Sequence, residues 1–209
     1  MSFALLPAAG QSARMGRPKL SLPLGDRSIL EQVIRSFRQG GVSEVVVVLG
    51  PATADLTALA QHAGAVVLCL PEATAEMRVT VELGLKWLEK EHGPKPDDPW
   101  LLCPADHPVL EPSVINHMLE AWKQRGSSQI LVPVFNGQRG HPAAIAWSLR
   151  SGLQALPAGL GLNVFLRKHS DQAREMPVAT DSILFDLDTP EDYVRLLQRW
   201  EMQNAGSGD

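Results

Sequence analysis

Apolar and polar positions along this chain switch repeatedly between strand-like runs and helix-like stripes. "FALLPA" (3–8) is a short apolar run that ends in a small-residue turn. In "SILEQVIRSFRQGG" (28–41), Ile29, Leu30, Val33, Ile34 and Phe37 recur every three or four positions, which predicts an amphipathic helix. Ser28 and Glu31 have capping-box spacing at its start, and Gly40-Gly41 ends it. "SEVVVVLG" (43–50) is an unbroken β-branched run, the pattern of a strand covered on both faces. A helix over 54–63, a strand "AVVLCL" (65–70) and a helix "EMRVTVELGLKWLEKE" (76–91) follow. After a polar loop (92–99) come a strand "WLLCPAD" (100–106) and a helix with Val114, Ile115, Met118, Leu119 and Trp122 on one face.

The second half is less regular. "SQILVPVFN" (128–136) and "HPAAIAW" (141–147) predict a strand pair across the turn "GQRG". A short helix at 161–169 and a strand "SILFDLD" (182–188) come next. "TPEDYVRLLQRWEM" predicts a closing helix with Thr189 as N-cap and Pro190 at its first position. The expected organisation is one domain over 1–203 and a disordered tail over 204–209. Strands interleaved with helices at this spacing imply an α/β fold with a parallel sheet and right-handed crossovers.

Composition narrows the partners. A length of 209 residues with 44% apolar content suffices for a substantial core. A net charge of −4 argues against general nucleic-acid binding, so any anion site must be local. Cys69 and Cys103 sit in apolar runs and read as buried small hydrophobes of a reduced compartment. No apolar run approaches the roughly 20 residues of a membrane span, and no basic region precedes the N-terminal stub as in a secretory signal. The expectation is a cytoplasmic protein with no nucleic-acid or membrane partner.

Ligands of open α/β sheets sit beyond the carboxyl ends of the strands, and the candidate residues fall there. In "LLPAAGQSARMGRPKL" (5–20), Gly10 leaves room for a phosphate near backbone N–H groups, while Arg14 and Lys19 can pair with phosphate oxygens. Arg17 reads as solvated or as a secondary phosphate contact. The spacing matches neither the Walker loop nor the Rossmann glycine fingerprint. In "CPADHP" (103–108), Asp106 suits a hard divalent cation, or else caps the turn before Pro108. In "FDLDTPEDY" (185–193), Asp186 and Asp188 would share one face of a strand and need a cation between them, or they are solvated turn carboxylates. Glu191 and Asp192 read as favourable charges in a first helical turn. In "GQRGHPAAI" (137–145), Gly137 and Gly140 form a tight turn, and His141 opens the next strand in a structural or a catalytic role.

Together these four stretches resemble the MobA-like nucleotidyltransferases, with the nearest likeness to the molybdenum cofactor cytidylyltransferase branch. The resemblance rests on "PAAGQSARMGRPKLSLPLG" (7–25), "PADHPVLEPSVI" (104–115), "VPVFNGQRGHPAAI" (132–145) and "DLDTPEDY" (186–193), in the same order across nearly the whole chain. It implies a Rossmann-like nucleotidyltransferase fold, a three-layer α/β/α sandwich, and transfer of a nucleotide from an NTP to a phosphate with release of pyrophosphate. It implies that Ala8, Ala9, Gly10 and Thr80 approach the nucleotide and that Arg14 and Lys19 hold the triphosphate. Asp106 would hold Mg²⁺ with Asp186 or Asp188, and Arg139 and His141 would face the acceptor. An Ala-Ala-Gly turn in this family goes with CTP. The chain departs from the family pattern where Glu76 and Arg78 replace small residues, where "GLGLNVF" (159–165) replaces a G-D-x-G-A-R-like run, and where His107 stands for Gln.

The leading expectation is therefore a Mg²⁺-dependent cytidylyltransferase acting on a molybdopterin-type cofactor. Two alternatives are transfer to a sugar or polyol phosphate, and a non-catalytic protein delivering the cofactor to a molybdoenzyme.

Overall fold

The computed structural model describes residues 1–10, 15–157 and 159–205, the last three without their side chains. The chain starts with β1 (Phe3–Pro7), forms a small ribbon from β2 (Pro23–Leu24) and β3 (Arg27–Ser28), and enters α1 (Ile29–Gln39). Then come β4 (Glu44–Leu49), α2 (Thr57–His62), β5 (Val66–Cys69), α3 (Met77–His92), β6 (Pro99–Leu102) and α4 (Pro112–Lys123). The second half carries β7 (Ile130–Phe135), β8 (Gln138–Arg139), β9 (Ala143–Ala146), α5 (Arg150–Gln154) and α6 (Leu162–Lys168). It ends with β10 (Ala173–Pro177) and α7 (Pro190–Ala205).

The main sheet has the order β10-β7-β9-β6-β1-β4-β5, with β8 paired to β7. Strands β5, β4, β1 and β6 run parallel, β9 is antiparallel to both β6 and β7, and β10 is parallel to β7. This is the expected α/β architecture with a mainly parallel sheet. Alternation along β1 shows why it is layered. Ala4 and Leu6 pack in one core with Ile34 of α1 and Ile115 of α4. Phe3 and Leu5 pack in the other with Val81 of α3, Leu153 of α5 and Phe165 of α6. Helix α3 lies so close to β1 that a Cβ on Gly84 would stand 2.7 Å from Leu5 Cδ1.

Local signals agree at both well-capped helices. Ser28 Oγ accepts from the Glu31 amide at 3.3 Å, and Glu31 Oε2 accepts from the Ser28 amide at 2.7 Å. At the start of α7, Thr189 Oγ1 accepts from the Asp192 amide, while Asp192 Oδ2 accepts from the Thr189 amide at 2.8 Å and the Asp188 amide at 3.1 Å. Burial alone would raise the Asp192 pKa. Hydrogen bonds from Arg195, Thr189 and the Asp188 amide outweigh it and hold the carboxyl down to about 2. Asp192 is thus a reciprocal cap and more than a favourable first-turn charge. Asp192→Ala is expected to lower unfolding stability by about 1–2 kcal/mol, measured by urea denaturation at neutral pH.

Four expectations are corrected. Residues 182–188 form no strand: a 3-10 turn spans Asp181–Ile183, and irregular chain follows. Ile183 and Leu187 are buried as a strand would bury them. Their backbone groups, however, go singly to other loops, with Ile183 O accepting from His141 N and Leu187 N donating to Asp106 O. The strand in this region is β10, whose "AREMP" buries only Met176 and so shows no alternation. The helix expected over 54–63 begins as a 3-10 turn, Pro51–Leu56, because Thr53 Oγ1 engages the Gly50 amide and the Ala8 carbonyl. Cys69 is exposed at the edge strand β5, against Thr57 Oγ1, whereas Cys103 is buried and its thiol pKa is pushed well up by that burial. Helix α7 continues to Ala205, into the segment expected as tail. No described helix is long and apolar enough to cross a membrane.

Candidate active site

Three chain segments converge beyond the carboxyl ends of β1 and β6. The first is the turn after β1, where the Ala8 amide donates to Val48 O at 2.8 Å and Thr53 holds the Ala8 carbonyl. The second is Pro104–His107, leaving β6. The third is the irregular 183–188 segment, joined to the second by the Leu187 amide on Asp106 O at 3.0 Å. The Arg139–His141 turn closes the circle, because β9 runs antiparallel to β6 with Leu102 opposite Ala143. These segments line a cleft of about 570 Å³.

Lys19 is among its lining residues. Its Nζ donates to Asp106 Oδ2 at 2.7 Å, to Asp188 Oδ1 at 3.0 Å and to Leu187 O at 2.7 Å. Burial alone would depress the Lys19 pKa, but the two carboxylates outweigh it and raise it. Asp106 Oδ1 is buried with no hydrogen-bond partner among the described residues, and His107 Nε2 lies 3.8 Å from it. The His107 ring packs on the His141 ring with centroids 4.7 Å apart. Burial keeps both imidazoles neutral near pH 7. It lowers the His107 pKa, and burial, with repulsion from His107 once that ring is protonated, lowers that of His141 to about 4.

That burial has a signed consequence. An unfolded His141 takes a proton below about 6.5, whereas the folded one, facing His107, Asp106 and Asp186, resists until about 4. The unfolded chain therefore binds more protons across that window, and stability falls as pH drops from about 6.5 towards 4. His141→Gln is expected to flatten this part of a pH–stability curve by up to about 3 kcal/mol, measured by denaturant midpoints at successive pH values.

The structure brings Ala8, Gly10, Lys19, Asp106, Arg139, His141, Asp186 and Asp188 to this one cleft. Ala9 borders Gly50 instead, and Thr80 is buried against Thr74 Oγ1 at 2.6 Å. Arg14 lies outside the described residues. Arg17 stands over the Tyr193 ring at 5.2 Å. Arg78, in the first turn of α3, is buried, donating to Leu156 O at 3.0 Å and pairing with Glu82. Met77, Ile183 and Leu184 also line the cleft, unforeseen from sequence. Met77 is 49% exposed at the start of α3, and a large apolar residue in the polar stretch "ATAEMR" was its one available signal.

Gly140 fixes the wall. A Cβ there would stand 2.3 Å from Ile183 O, the oxygen that accepts from His141 N at 2.9 Å. Gly140→Ala is expected to destabilise the protein by about 2 kcal/mol, seen as a lowered thermal midpoint. Behind the same wall, Arg139, Gly140 and His141 also border a second hollow of about 420 Å³. Its floor is Ile130, Val132, Ala143 and Ala173, and α6 contributes Asn163, Leu166 and Arg167.

The donor set fits a hard divalent ion. Asp106, Asp186 and Asp188 offer carboxylate oxygens in one cleft, and one Asp106 oxygen is buried and unsatisfied. No group of three or more acidic, His or Cys side chains forms a protein-only cage among the described residues. Carboxylates so placed could hold a hard divalent cation whose shell water and phosphate complete.

The MobA-like NTP transferase domain matches residues 4–173, most of the chain and three of the four converging segments. The chain belongs to the MobA-like NTP transferase family. Nicotine blue oxidoreductase of Paenarthrobacter nicotinovorans is 27% identical over 205 residues, covering 92% of this chain and 95% of the relative. Molybdenum cofactor cytidylyltransferase of Escherichia coli (strain K12) is 25% identical over 197 residues, covering 94% and 95%. The crystal structure of Rv0371c from Mycobacterium tuberculosis H37Rv superposes with a TM-score of 0.80 at 24% identity, over 95% of this chain and 98% of that one. Its manganese complex gives 0.73, over 94% and 97%. A nucleotidyl transferase from Methanothermobacter thermautotroptrophicus superposes with a TM-score of 0.79 at 19% identity, over 97% of this chain and 99% of that one, so the chain has the fold of these proteins.

Proposed function

We propose that this MobA-like protein transfers CMP from CTP to the phosphate of a molybdopterin-type cofactor and releases pyrophosphate. The observation that carries the reading is the Lys19–Asp106–Asp188 constellation lining a 570 Å³ cleft beyond the strand ends. The cytidylyltransferase relative, similar over nearly its full length, supports the donor.

In this reading the Pro7–Gly10 turn receives the nucleoside, and Lys19, with Arg14, takes the triphosphate. Mg²⁺ on Asp106 and Asp186 or Asp188 would supply charge neutralisation, and the manganese complex of the Rv0371c protein supports a divalent ion. An acceptor phosphate oxygen bonds to the α-phosphorus as the α–β bridge breaks, and the electron pair leaves with pyrophosphate. The acceptor is already an anion, so the reaction needs positioning and charge neutralisation more than a general base. The neutral, buried His107–His141 pair is consistent with that demand. Arg139 and His141 border both cavities, so an acceptor can present its phosphate in the cleft and lay its body in the second hollow. The largely apolar floor of that hollow suits a flat or apolar body better than a polyol.

The test is pyrophosphate release with each NTP and Mg²⁺, with and without molybdopterin. The expected result is release with CTP only when molybdopterin is present. Release with a sugar phosphate instead would move the acceptor. Tight cofactor binding without release from any NTP would favour the delivery protein. Neither binding nor release would leave the oxidoreductase relative as the better guide.

A further inference from the structure

Lys19 presents a conflict that the nucleotidyltransferase reading does not by itself resolve. That reading gives its ammonium to a triphosphate and gives Asp106 and Asp188 to a divalent ion. In the structure the three side chains hold one another, at 2.7 Å and 3.0 Å, and the Leu187 carbonyl adds a third acceptor at 2.7 Å. Resting on that reading, we propose that Lys19 is the resident cation of the divalent site. It holds Asp106 and Asp188 together in the nucleotide-free protein and releases them when a triphosphate draws its ammonium away.

Two physical facts carry the inference. Carboxylates this close repel without a positive charge between them, and Lys19 supplies one from within the chain. Its side chain is only 15% exposed and those of Asp106 and Asp188 17% and 28%, so solvent screens the pair incompletely. A divalent ion entering beside that ammonium meets a like charge at short range, and it must compete for Asp106 Oδ2 and Asp188 Oδ1. A triphosphate reverses the balance, because its oxygens offer the ammonium an alternative anion and offer the metal further ligands. Nucleotide and metal then strengthen each other's binding, reciprocally, as any coupled pair must. The metal alone is a poor ligand for the empty cleft.

The experiment titrates Mn²⁺ into the full-length, nucleotide-free protein and follows free Mn²⁺ by electron paramagnetic resonance. No turnover is involved, so its outcome is separable from the activity assay. Lys19→Met is expected to bind Mn²⁺ at least about fivefold more tightly than the unmodified chain, and Lys19→Gln should follow it. Arg17→Met removes a nearby charge that stands over Tyr193, and should change the affinity less than about twofold. Asp106→Asn should abolish the binding. Circular dichroism on every variant confirms that each is folded. If both Lys19 variants bind Mn²⁺ no more tightly than the unmodified chain, the resident-cation proposal is overturned while the transfer reading stands. Equal tightening in Arg17→Met overturns it too, by making the effect one of general charge. Failure of every variant and the parent to bind Mn²⁺ at millimolar concentration overturns the proposal together with the metal part of the transfer reading.

Discussion

Asp106→Ala is expected to reduce CTP-dependent pyrophosphate release by about two to three orders of magnitude while leaving the fold intact. Asp106 is the residue through which the other parts of the cleft meet. Its side chain takes the Lys19 ammonium, its carbonyl takes the Leu187 amide, and its second oxygen is buried and open to a further cation. Alanine keeps the backbone contact but removes both carboxylate oxygens. Stability should change little, because the Lys19 ammonium still reaches Asp188 and the Leu187 carbonyl. The assay is the initial rate with CTP, Mg²⁺ and acceptor, beside a thermal melt. Near-normal turnover would show that the cleft has been assigned to the wrong carboxylate.

Lys19→Ala should be comparably severe, with a different kinetic signature. Without the ammonium the triphosphate loses a charge contact in the ground state and in the transition state. The KM for CTP should therefore rise while kcat falls, and kcat/KM should drop by about a hundredfold or more. The variant also removes the ammonium that bridges Asp106 and Asp188, so its melting point should respond to added divalent ions more than that of the parent chain. A fall in kcat with an unaltered KM for CTP would show that the ammonium acts in the transition state alone and not in ground-state binding of the triphosphate.

Much of this arrangement was legible in the residues. The β-branched run 44–49 announced a strand covered on both faces, and Ser28 with Glu31 announced the start of α1. Lys19, Asp106 and His141 were visible because each follows or opens an apolar run, which is where an open α/β sheet places ligands. The misplaced strand has a physical origin. "SILFDLD" has the apolar alternation of a strand, yet its backbone hydrogen bonds go one at a time to Asp106 and His141, and no local pattern encodes that. The strand that does form there, β10, needs only Met176 buried, so its sequence carries no period. The Lys19–Asp106 contact spans 87 positions, so sequence could suggest a cation between carboxylates but not say which residue supplied it. Arg78 shows the converse: sequence marks it as a departure from the family pattern, and the structure buries it against the Leu156 carbonyl.

The Asp192 cap bears on how this protein is made. Strands β1, β4 and β6 are all in hand by residue 102, and the sheet they form needs nothing later to pair. Asp188, the second carboxylate on Lys19, arrives only with the last tenth of the chain, and the Asp188 amide is held by a residue of α7. A nascent chain still short of α7 can therefore fold much of its sheet while its cleft lacks one carboxylate. A chain ending just before residue 192 would keep Asp188 but lose the Asp192 carboxylate that holds its amide, leaving the second carboxylate on Lys19 less firmly placed.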